Sequence, residues 1–177
     1  MKRNKKFLLL SCIIFLLILP GLLLGGLVFT YYFAFSTNEI RGRMMEPNYN
    51  DEEMYITNKL LYKFSKPKRY DVVVYKNPED EKLIFLGRII GLPGEEITLG
   101  TYILINGDPL EEWYTDMTVD IENINLWIEA GTISIPEGEY FILGDNRSQS
   151  VDSRKLGTIA EKKIVGKIWF CYAYCKD

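Results

Sequence analysis

The 177-residue chain contains no histidine, and this absence excludes one familiar kind of catalytic site. A Ser-His-Asp triad needs an imidazole to accept the proton of the serine hydroxyl. Zinc sites are built from several cysteine and histidine ligands, whereas this chain offers three cysteines and nothing else of that kind. We therefore expect neither a metal site nor a cofactor.

Cysteine is scarce. Cys12 lies in an apolar N-terminal run, and Cys171 and Cys175 lie close together near the C-terminus. If the C-terminal stretch is a strand, these two Cα atoms are about 13 Å apart, beyond the roughly 7 Å that a disulfide spans. We therefore expect free, partly buried thiols at both positions.

Basic residues are in the minority once the N-terminus is set aside. The first six residues contain four cations and no acidic residue: Lys2, Arg3, Lys5 and Lys6. The remainder carries 17 Lys and Arg against all 24 Asp and Glu, a net charge of −7. This balance favours solubility and argues against nucleic acid as a partner.

A nearly unbroken apolar run follows these cations, from Phe7 to about Phe29. As a helix it would reach about 35 Å, enough to cross a hydrocarbon core of about 30 Å. The aromatic residues that come next are typical of a membrane interface. They are Tyr31, Tyr32, Phe33 and Phe35. The positive-inside rule predicts a cytoplasmic tail and transmembrane anchor over 1–35, with an extracytoplasmic domain over 36–177.

A cleaved signal peptide is the alternative reading of this N-terminus. Ala34-Phe35-Ser36 fits a small-x-small cleavage site. The apolar run is, however, much longer than the ~7–15 residues of a signal-peptide core, and this length favours the anchor. The predicted localisation is therefore the cell membrane, with a single span.

Strand patterns dominate the rest of the chain. β-Branched and aromatic residues mark strands over 53–62, 69–77, 82–92 and 162–174, and a strand pair around a Pro-x-Gly turn over 132–145. Asn106-Gly107 is a strong hairpin signal, whereas 111–130 fits either a hairpin arm or a surface excursion. We predict a mainly β fold, a coiled or barrel-like antiparallel sheet on one N-terminal helix.

The most distinctive segment is LGDNRSQSVDSRKLG, residues 143–157. Its short polar side chains can bond nearby backbone groups, and its two arginines can pair with Asp145 and Asp152. Composition alone therefore fits a turn that satisfies its own polar groups.

The same segment resembles the signature loop of the bacterial type I signal peptidases (peptidase family S26), Gly-Asp-Asn-Arg-x-x-Ser-x-Asp-Ser-Arg. Every fixed position is filled. The residues are Gly144, Asp145, Asn146, Arg147, Ser150, Asp152, Ser153 and Arg154. Four other segments resemble family motifs in the family's order: GRMMEP (42–47), RYDVVVY (69–75), GRIIGLPGEEI (87–97) and YILINGDPLEE (102–112). The resemblance implies a membrane-anchored serine endopeptidase fold that acts on signal peptides of exported proteins.

The resemblance also implies a catalytic dyad, in which a buried lysine of lowered pKa takes the proton of a serine. Met44 stands at the nucleophile position, because its neighbours fall on the family's Gly-x-Ser-Met-x-Pro. These neighbours are Gly42, Met45 and Pro47. Gly87 stands at the base position, because Arg88 falls on the arginine of the family's Lys-Arg. Neither residue can do the chemistry, and losing such a unit costs on the order of 10⁶ in kcat.

Nearby residues are poor substitutes for the dyad. Ser36 lies eight residues before Met44, at the predicted membrane edge. Lys82 lies five residues before Gly87, an odd offset that on a strand points to the opposite face about 16 Å away. Arg43, like any arginine, stays protonated and cannot act as a base.

Two further departures follow from the alignment. Ser150 has the family role of hydrogen-bonding the catalytic lysine, so with Gly87 we expect it to lack that partner. Tyr70 stands where the family's Arg-Gly-Asp has a glycine, a change that concerns a turn rather than chemistry.

Three functions remain open. The first is an inactive signal peptidase homologue that still binds signal peptides. In that case Met44→Ser together with Gly87→Lys is predicted to restore some cleavage, whereas either change alone is not. The second is an active signal peptidase with a displaced dyad. The third is a structural or regulatory ectodomain that binds a partner protein, which exposure of Trp113 or Trp127 would favour, since aromatic residues anchor interfaces.

Overall fold

The computed structural model describes residues 2–100, 102–115 and 131–175, with side chains from residue 11 onward. It divides the chain into two compact units, Met1–Phe35 and Ser36–Asp177. The first unit is a single helix, α1 (Lys2–Ala34). Its segment Ser11–Ala34 is long and apolar enough to cross a membrane, and its side chains are almost all exposed. A helix that is apolar on every side suits a lipid surrounding.

The second unit is mainly β, as the sequence predicts, and most of it is one curled antiparallel sheet. Its larger sheet has seven strands in the spatial order β1-β2-β11-β3-β4-β9-β10, and a smaller sheet has the order β7-β6-β5-β8. The strands of the larger sheet are β1 (Phe35–Glu39), β2 (Met54–Asn58), β3 (Val72–Lys76), β4 (Ile84–Gly91), β9 (Glu139–Leu143), β10 (Ile159–Ala160) and β11 (Ile164–Ala173). Those of the smaller sheet are β5 (Glu96–Thr98), β6 (Leu104–Ile105), β7 (Asp108–Pro109) and β8 (Thr132–Ser134).

Within the described residues, three short helical turns interrupt the strands. They are α2 (Leu61–Phe64), α3 (Ser153–Leu156) and the 3₁₀ turn Glu161–Lys163. The strand predicted over 53–62 is therefore wrong in its second half. β2 ends at Asn58, whose Oδ1 accepts from the N–H groups of Leu60 and Leu61, each at 3.0 Å. This local bond favours a helical turn over continued extension.

The hairpin prediction at Asn106-Gly107 is confirmed. Both residues have positive φ, +52° and +89°, and Ile105 pairs with Asp108 across the two-residue turn. The strand pair predicted over 132–145 is only half right, because its two strands do not pair with each other. β8 pairs with β5 and β9 with β4 and β10, so the turn carries the chain between sheets. Most of 111–130 lies outside the described residues.

The prediction of free thiols at Cys171 and Cys175 is wrong, because the two residues form a disulfide with Cα atoms 5.9 Å apart. The expected 13 Å assumed a continuous strand. β11 instead ends at Ala173, its register shifts after Cys171, and Tyr174 turns the chain with a φ of +57°. The alternating pattern of a strand cannot reveal such a turn.

We predict that the disulfide adds about 2 kcal/mol to the free energy of unfolding, the value expected for a very short closed loop. Urea unfolding of a Cys171→Ser/Cys175→Ser variant would measure that loss. Alkylation of the unreduced, denatured protein should modify Cys12 alone. Alkylation of all three cysteines would contradict the pairing.

Candidate functional site

A buried ion pair joins strand β4 to the loop that follows β9. Arg88 donates from Nε to Asp145 Oδ1 at 2.8 Å and from Nη2 to Oδ2 at 2.6 Å. Their side chains are 7% and 0% exposed. Burial alone would lower the pKa of Arg88, but the hydrogen bonds and the charge of Asp145 outweigh it and raise this pKa. Bidentate, charge-assisted pairs of this kind fix geometry strongly.

Residues from two other segments complete the surroundings of Asp145. Asn48 donates from Nδ2 to Asp145 Oδ2 at 2.9 Å, and Thr115 donates from Oγ1 to the Asp145 carbonyl at 2.9 Å. The Tyr114 ring lies with its centroid 4.3 Å from Arg88 Cζ, in cation–π range. The ion pair therefore gathers the segment around residue 48, strand β4 and the 144–154 loop.

Tyr70, the departure noted in the RYDVVVY segment, adopts a φ of +70°, a value that favours glycine. Its ring packs on Trp113 and Tyr114 at centroid distances of 6.5 and 5.7 Å. Its hydroxyl donates to the Glu111 carbonyl at 3.1 Å, and its own carbonyl accepts from Arg88 at 3.1 Å. These contacts offset a backbone strain of about 1–3 kcal/mol.

Asp152 is the second centre of the loop. It caps helix α3, and its carboxylate accepts from the N–H of Gly144 at 2.9 Å and from Arg154 Nε at 2.8 Å. Ser150 donates its hydroxyl to Asp152 and accepts from Arg154 Nη2, the latter at 2.8 Å. In place of the lysine that the family alignment would supply, the aspartate and the arginine of its own loop engage Ser150.

Two more loop residues hold the loop in place, one on strand β9 and one on Glu112. Ser153 accepts from the Ile142 N–H at 2.9 Å, just beyond the reach of β10. Arg147 donates from Nε to the Gly144 carbonyl at 3.0 Å and pairs with Glu112 through a buried contact. Every polar member of the signature motif thus has a partner.

The segment that carries Met44 is bound to the same loop. The Asn146 N–H donates to the Met44 carbonyl at 3.0 Å, and the Asp145 N–H lies 3.4 Å from Met45 Sδ. Met45 is fully buried. A Cβ at Gly144 would lie 2.6 Å from the Met44 carbonyl oxygen, so only glycine permits this approach.

The outer members of the GRMMEP segment do not touch the loop. Gly42 has a φ of +88° and donates its N–H to Asp51 Oδ1 at 2.8 Å, whereas Arg43 pairs with Glu46 on the surface. Pro47 is exposed and follows a cis peptide bond. These residues shape the turn of the segment, and Met44 and Met45 make its contacts with the 144–154 loop.

Gly87 has no room for a side chain. A Cβ built there would lie 2.6 Å from Ile142 Cγ2 and 3.2 Å from Tyr75 Cε1 and from the Leu143 carbonyl oxygen. Arg88 pairs with Leu143 across β4 and β9, so Gly87 lies at the Gly144 end of this ladder. Gly87, the predicted position of the base, therefore lies beside the loop, and a neighbouring branched side chain fills the space that a side chain at this position would need.

Tyr75 completes this filling. Its side chain is fully buried, and its hydroxyl has no hydrogen-bond partner within the described part of the chain. Burial, and then the charge of Asp152, raise the pKa of this phenol. The hydroxyl therefore stays protonated near neutral pH and cannot act as a base.

A groove of about 410 Å³ lies on the other side of Met44. Strand β1 and the residues after it form one wall, and β3, β4 and β11 form the other. The lining residues are Thr37, Asn38, Glu39, Ile40, Arg41, Met44, Val74, Ile84, Phe85, Leu86 and Ile168. This lining contains neither a serine nor a lysine.

Comparison with known proteins identifies the family. The family model for signal peptidase, peptidase S26, matches residues 8–173. The chain belongs to the signal peptidase S26 family. Among its relatives, signal peptidase I V of Bacillus subtilis (strain 168) is 34% identical over 143 residues, 76% of this chain and 84% of that protein. Signal peptidase I P of Bacillus subtilis subsp. natto is 36% identical over 154 residues, 84% and 82% of the two chains.

A solved structure also matches. The signal peptidase I of Enterococcus faecalis V583 aligns with a TM-score of 0.47 and 30% identity, over 58% of this chain and 97% of that chain.

The residues considered as substitutes for the family's dyad are not brought together. Ser36 lies on β1 and accepts from Asn38 Nδ2 at 3.3 Å. Lys82 lies exposed in the turn between β3 and β4, where its N–H bonds Asp80 Oδ1 at 3.0 Å. Ser150 is held by its own loop. None of the three lines the groove beside Met44.

Sequence reasoning missed several residues of the signal peptidase site. Tyr75 and Ile142 fill the space beside Gly87, and Asn48 and Tyr114 surround the Arg88–Asp145 pair. Only the register between β3, β4 and β9 brings the first two together. The sequence signal for Tyr75 was weak, a tyrosine where the family's Arg-Gly-Asp-Val-Val-x-Phe ends in phenylalanine.

We predict that Asp145→Asn lowers the free energy of unfolding by about 3–5 kcal/mol, because it leaves Arg88 buried without a counter-charge. Urea denaturation would measure the change. Glu161→Gln is the matched control, since it breaks the surface pair with Lys66, worth about 0–1 kcal/mol. Equal losses in the two variants would mean that the buried pair does not organise the site.

Proposed function

We propose that the chain is a membrane-anchored, catalytically inactive signal peptidase homologue that binds extended peptide segments, such as signal peptides, in the groove beside Met44. The observation that carries the proposal is the filled base position at Gly87. Ile142 and Tyr75 pack into the space that a side chain at position 87 would need. The core is therefore packed for glycine at this position, and a lysine would not fit without other changes.

The nucleophile position supports the same conclusion. Met44 has no ionisable proton, and it lines the groove in which a nucleophile would have to meet a peptide carbonyl. Covalent catalysis needs a nucleophile and a base within hydrogen-bond reach of each other. The lining of this groove offers neither partner, which is why an active enzyme with a displaced dyad is not favoured.

The groove suits an extended peptide. Strand β1 forms one end of the larger sheet and pairs only with β2 among the described strands, so its outer edge offers backbone groups to a further strand. The facing wall is apolar, with Val74, Leu86 and Ile168, and would accept small side chains that alternate along the bound strand.

The orientation across the membrane rests on two independent features. Four cations lie at the N-terminal end of α1, before its apolar run, and such clusters stay on the cytoplasmic side. The Cys171–Cys175 disulfide belongs to an oxidising compartment, so it supports a domain on the extracytoplasmic side.

A second function has one observation in its favour. The Trp113 side chain is 74% exposed and stacks beside Tyr70 and Tyr114. An exposed aromatic cluster could anchor a partner protein, as the third hypothesis requires. Trp127, the other tryptophan of that hypothesis, lies outside the described residues.

We predict that a photoreactive peptide with an Ala-x-Ala segment crosslinks to residues 37–41 or to Met44. Ile84→Trp should reduce this crosslinking, because the larger ring narrows the groove, and Ile84 is exposed enough for the fold to tolerate it. Trp113→Ser is the control for the second function. Crosslinks that are lost in Trp113→Ser and kept in Ile84→Trp would contradict peptide binding in the groove and would support a partner-binding surface at Trp113.

We predict that Met44→Ser with Gly87→Lys restores little cleavage until Ile142 is also shortened. The lysine Cβ would clash with Ile142 Cγ2, and overpacking of this kind costs about 1–3 kcal/mol. The triple variant Met44→Ser/Gly87→Lys/Ile142→Ala removes that clash and should cleave a signal-peptide substrate.

The matched control for this variant is Met44→Ala/Gly87→Lys/Ile142→Ala, which has the same core but no hydroxyl and should be inert. A triple variant that folds and binds the Ala-x-Ala peptide, yet cleaves nothing, would show that the site lacks more than its dyad. A double variant as active as the triple would refute the steric role of Ile142.

A further inference from the structure

One stretch of the second unit is basic, although the unit as a whole is acidic. Residues 54–70 contain five basic residues and no acidic one, although the unit carries a net negative charge. The basic residues are Lys59, Lys63, Lys66, Lys68 and Arg69. This concentration has no role in the groove, whose lining includes none of them.

Three of these lysines are exposed next to an exposed aromatic residue in the chain. Helix α2 and the loop after it expose Lys63, Lys66 and Lys68. Between them, Phe64 has 85% of its surface exposed, and Leu61 on the same turn has 36%. We call Lys63, Phe64, Lys66 and Lys68 the basic–aromatic surface.

Few carboxylates neutralise this surface. Lys66 makes an exposed pair with Glu161 at 2.7 Å, worth little in water. Lys63 and Lys68 have no acidic partner among residues 11–100, 102–115 and 131–175. A large ring held in water among unneutralised cations is unfavourable for a domain that stays in solution, and it suits an anionic interface with an apolar interior.

We propose that the basic–aromatic surface binds the anionic phospholipid headgroups of the membrane, with Phe64 inserted among the acyl chains. The lysine ammonium groups match phosphate charge, and lysine stems can lie along the apolar boundary while their heads stay at the headgroups. A convex one-turn helix with a single ring fits insertion into lipid better than it fits a protein groove.

The chain itself argues for lipid as the ligand. α1 ends at Ala34 and β1 begins at Phe35, so no linker separates the apolar helix from the folded unit. A tether this short keeps the lipid surface at high effective concentration, and weak headgroup contacts then suffice. Because no residue of the basic–aromatic surface lines the groove, lipid binding here does not depend on peptide binding there.

Acetylation rates of individual lysines, read by mass spectrometry on the full chain in nanodiscs, test this proposal. Lys63, Lys66 and Lys68 should react about fivefold more slowly in discs with phosphatidylglycerol than in discs of phosphatidylcholine alone. This factor corresponds to the attraction of about 1 kcal/mol between each lysine and an anionic membrane surface. High salt should abolish the difference. Lys82, exposed beside Asp80 and Glu81, should react equally in both lipids.

Two substitutions separate the contributions to binding. Lys68→Glu and Phe64→Ser should each reduce the protection of Lys66, whereas Lys82→Glu, the same charge change elsewhere, should not. Equal rates for Lys66 in the two lipids, or protection that inorganic phosphate reproduces in phosphatidylcholine discs, would overturn the proposal. Protection that Lys82 shares would do the same, because it would show a general effect of the lipid.

Discussion

The pair between Arg88 and Asp145 is the contact on which the rest of the site depends. It ties β4 to the loop after β9, and Asn48 extends it to the segment that carries Met44. Because both charges are buried, each holds the other in place, and removing either would leave an unpaired charge in the core. The predicted dyad positions, Met44 and Gly87, therefore lie beside one loop, and neither side chain can act as a nucleophile or a base.

This arrangement explains how the loop can keep its geometry without the residues of a catalytic dyad. The polar residues of the 144–154 loop bond to one another and to backbone groups, so their geometry does not need a lysine at position 87. Asp152, for example, accepts from Gly144 and Arg154 and engages Ser150. The space beside Gly87, the predicted position of the base, is filled by Ile142 and Tyr75, and the Tyr75 hydroxyl has no hydrogen-bond partner among the described residues. In the proposed account, such a site keeps its groove for binding while the reaction is lost.

Sequence reasoning reached the fold class, the family and the hairpin at Asn106-Gly107, because these depend on local pattern and on motifs in order. It failed where long-range register or a single turn decides the outcome. The disulfide at Cys171 depends on a turn at Tyr174 that a strand pattern does not reveal, and the helix after Asn58 depends on two hydrogen bonds that one side chain accepts. The crowding at Gly87 needs the alignment of three strands, which no property of the separate segments reveals.

The most direct test of the account is a cleavage assay with the unaltered full chain in detergent micelles. A preprotein with an Ala-x-Ala site would be incubated with this chain and, in parallel, with signal peptidase I V of Bacillus subtilis as the active relative. The account predicts complete processing by the relative and no product above the protein-free background for this chain. Specific cleavage after Ala-x-Ala that scales with the concentration of this chain, and that persists in Met44→Ala, would contradict it.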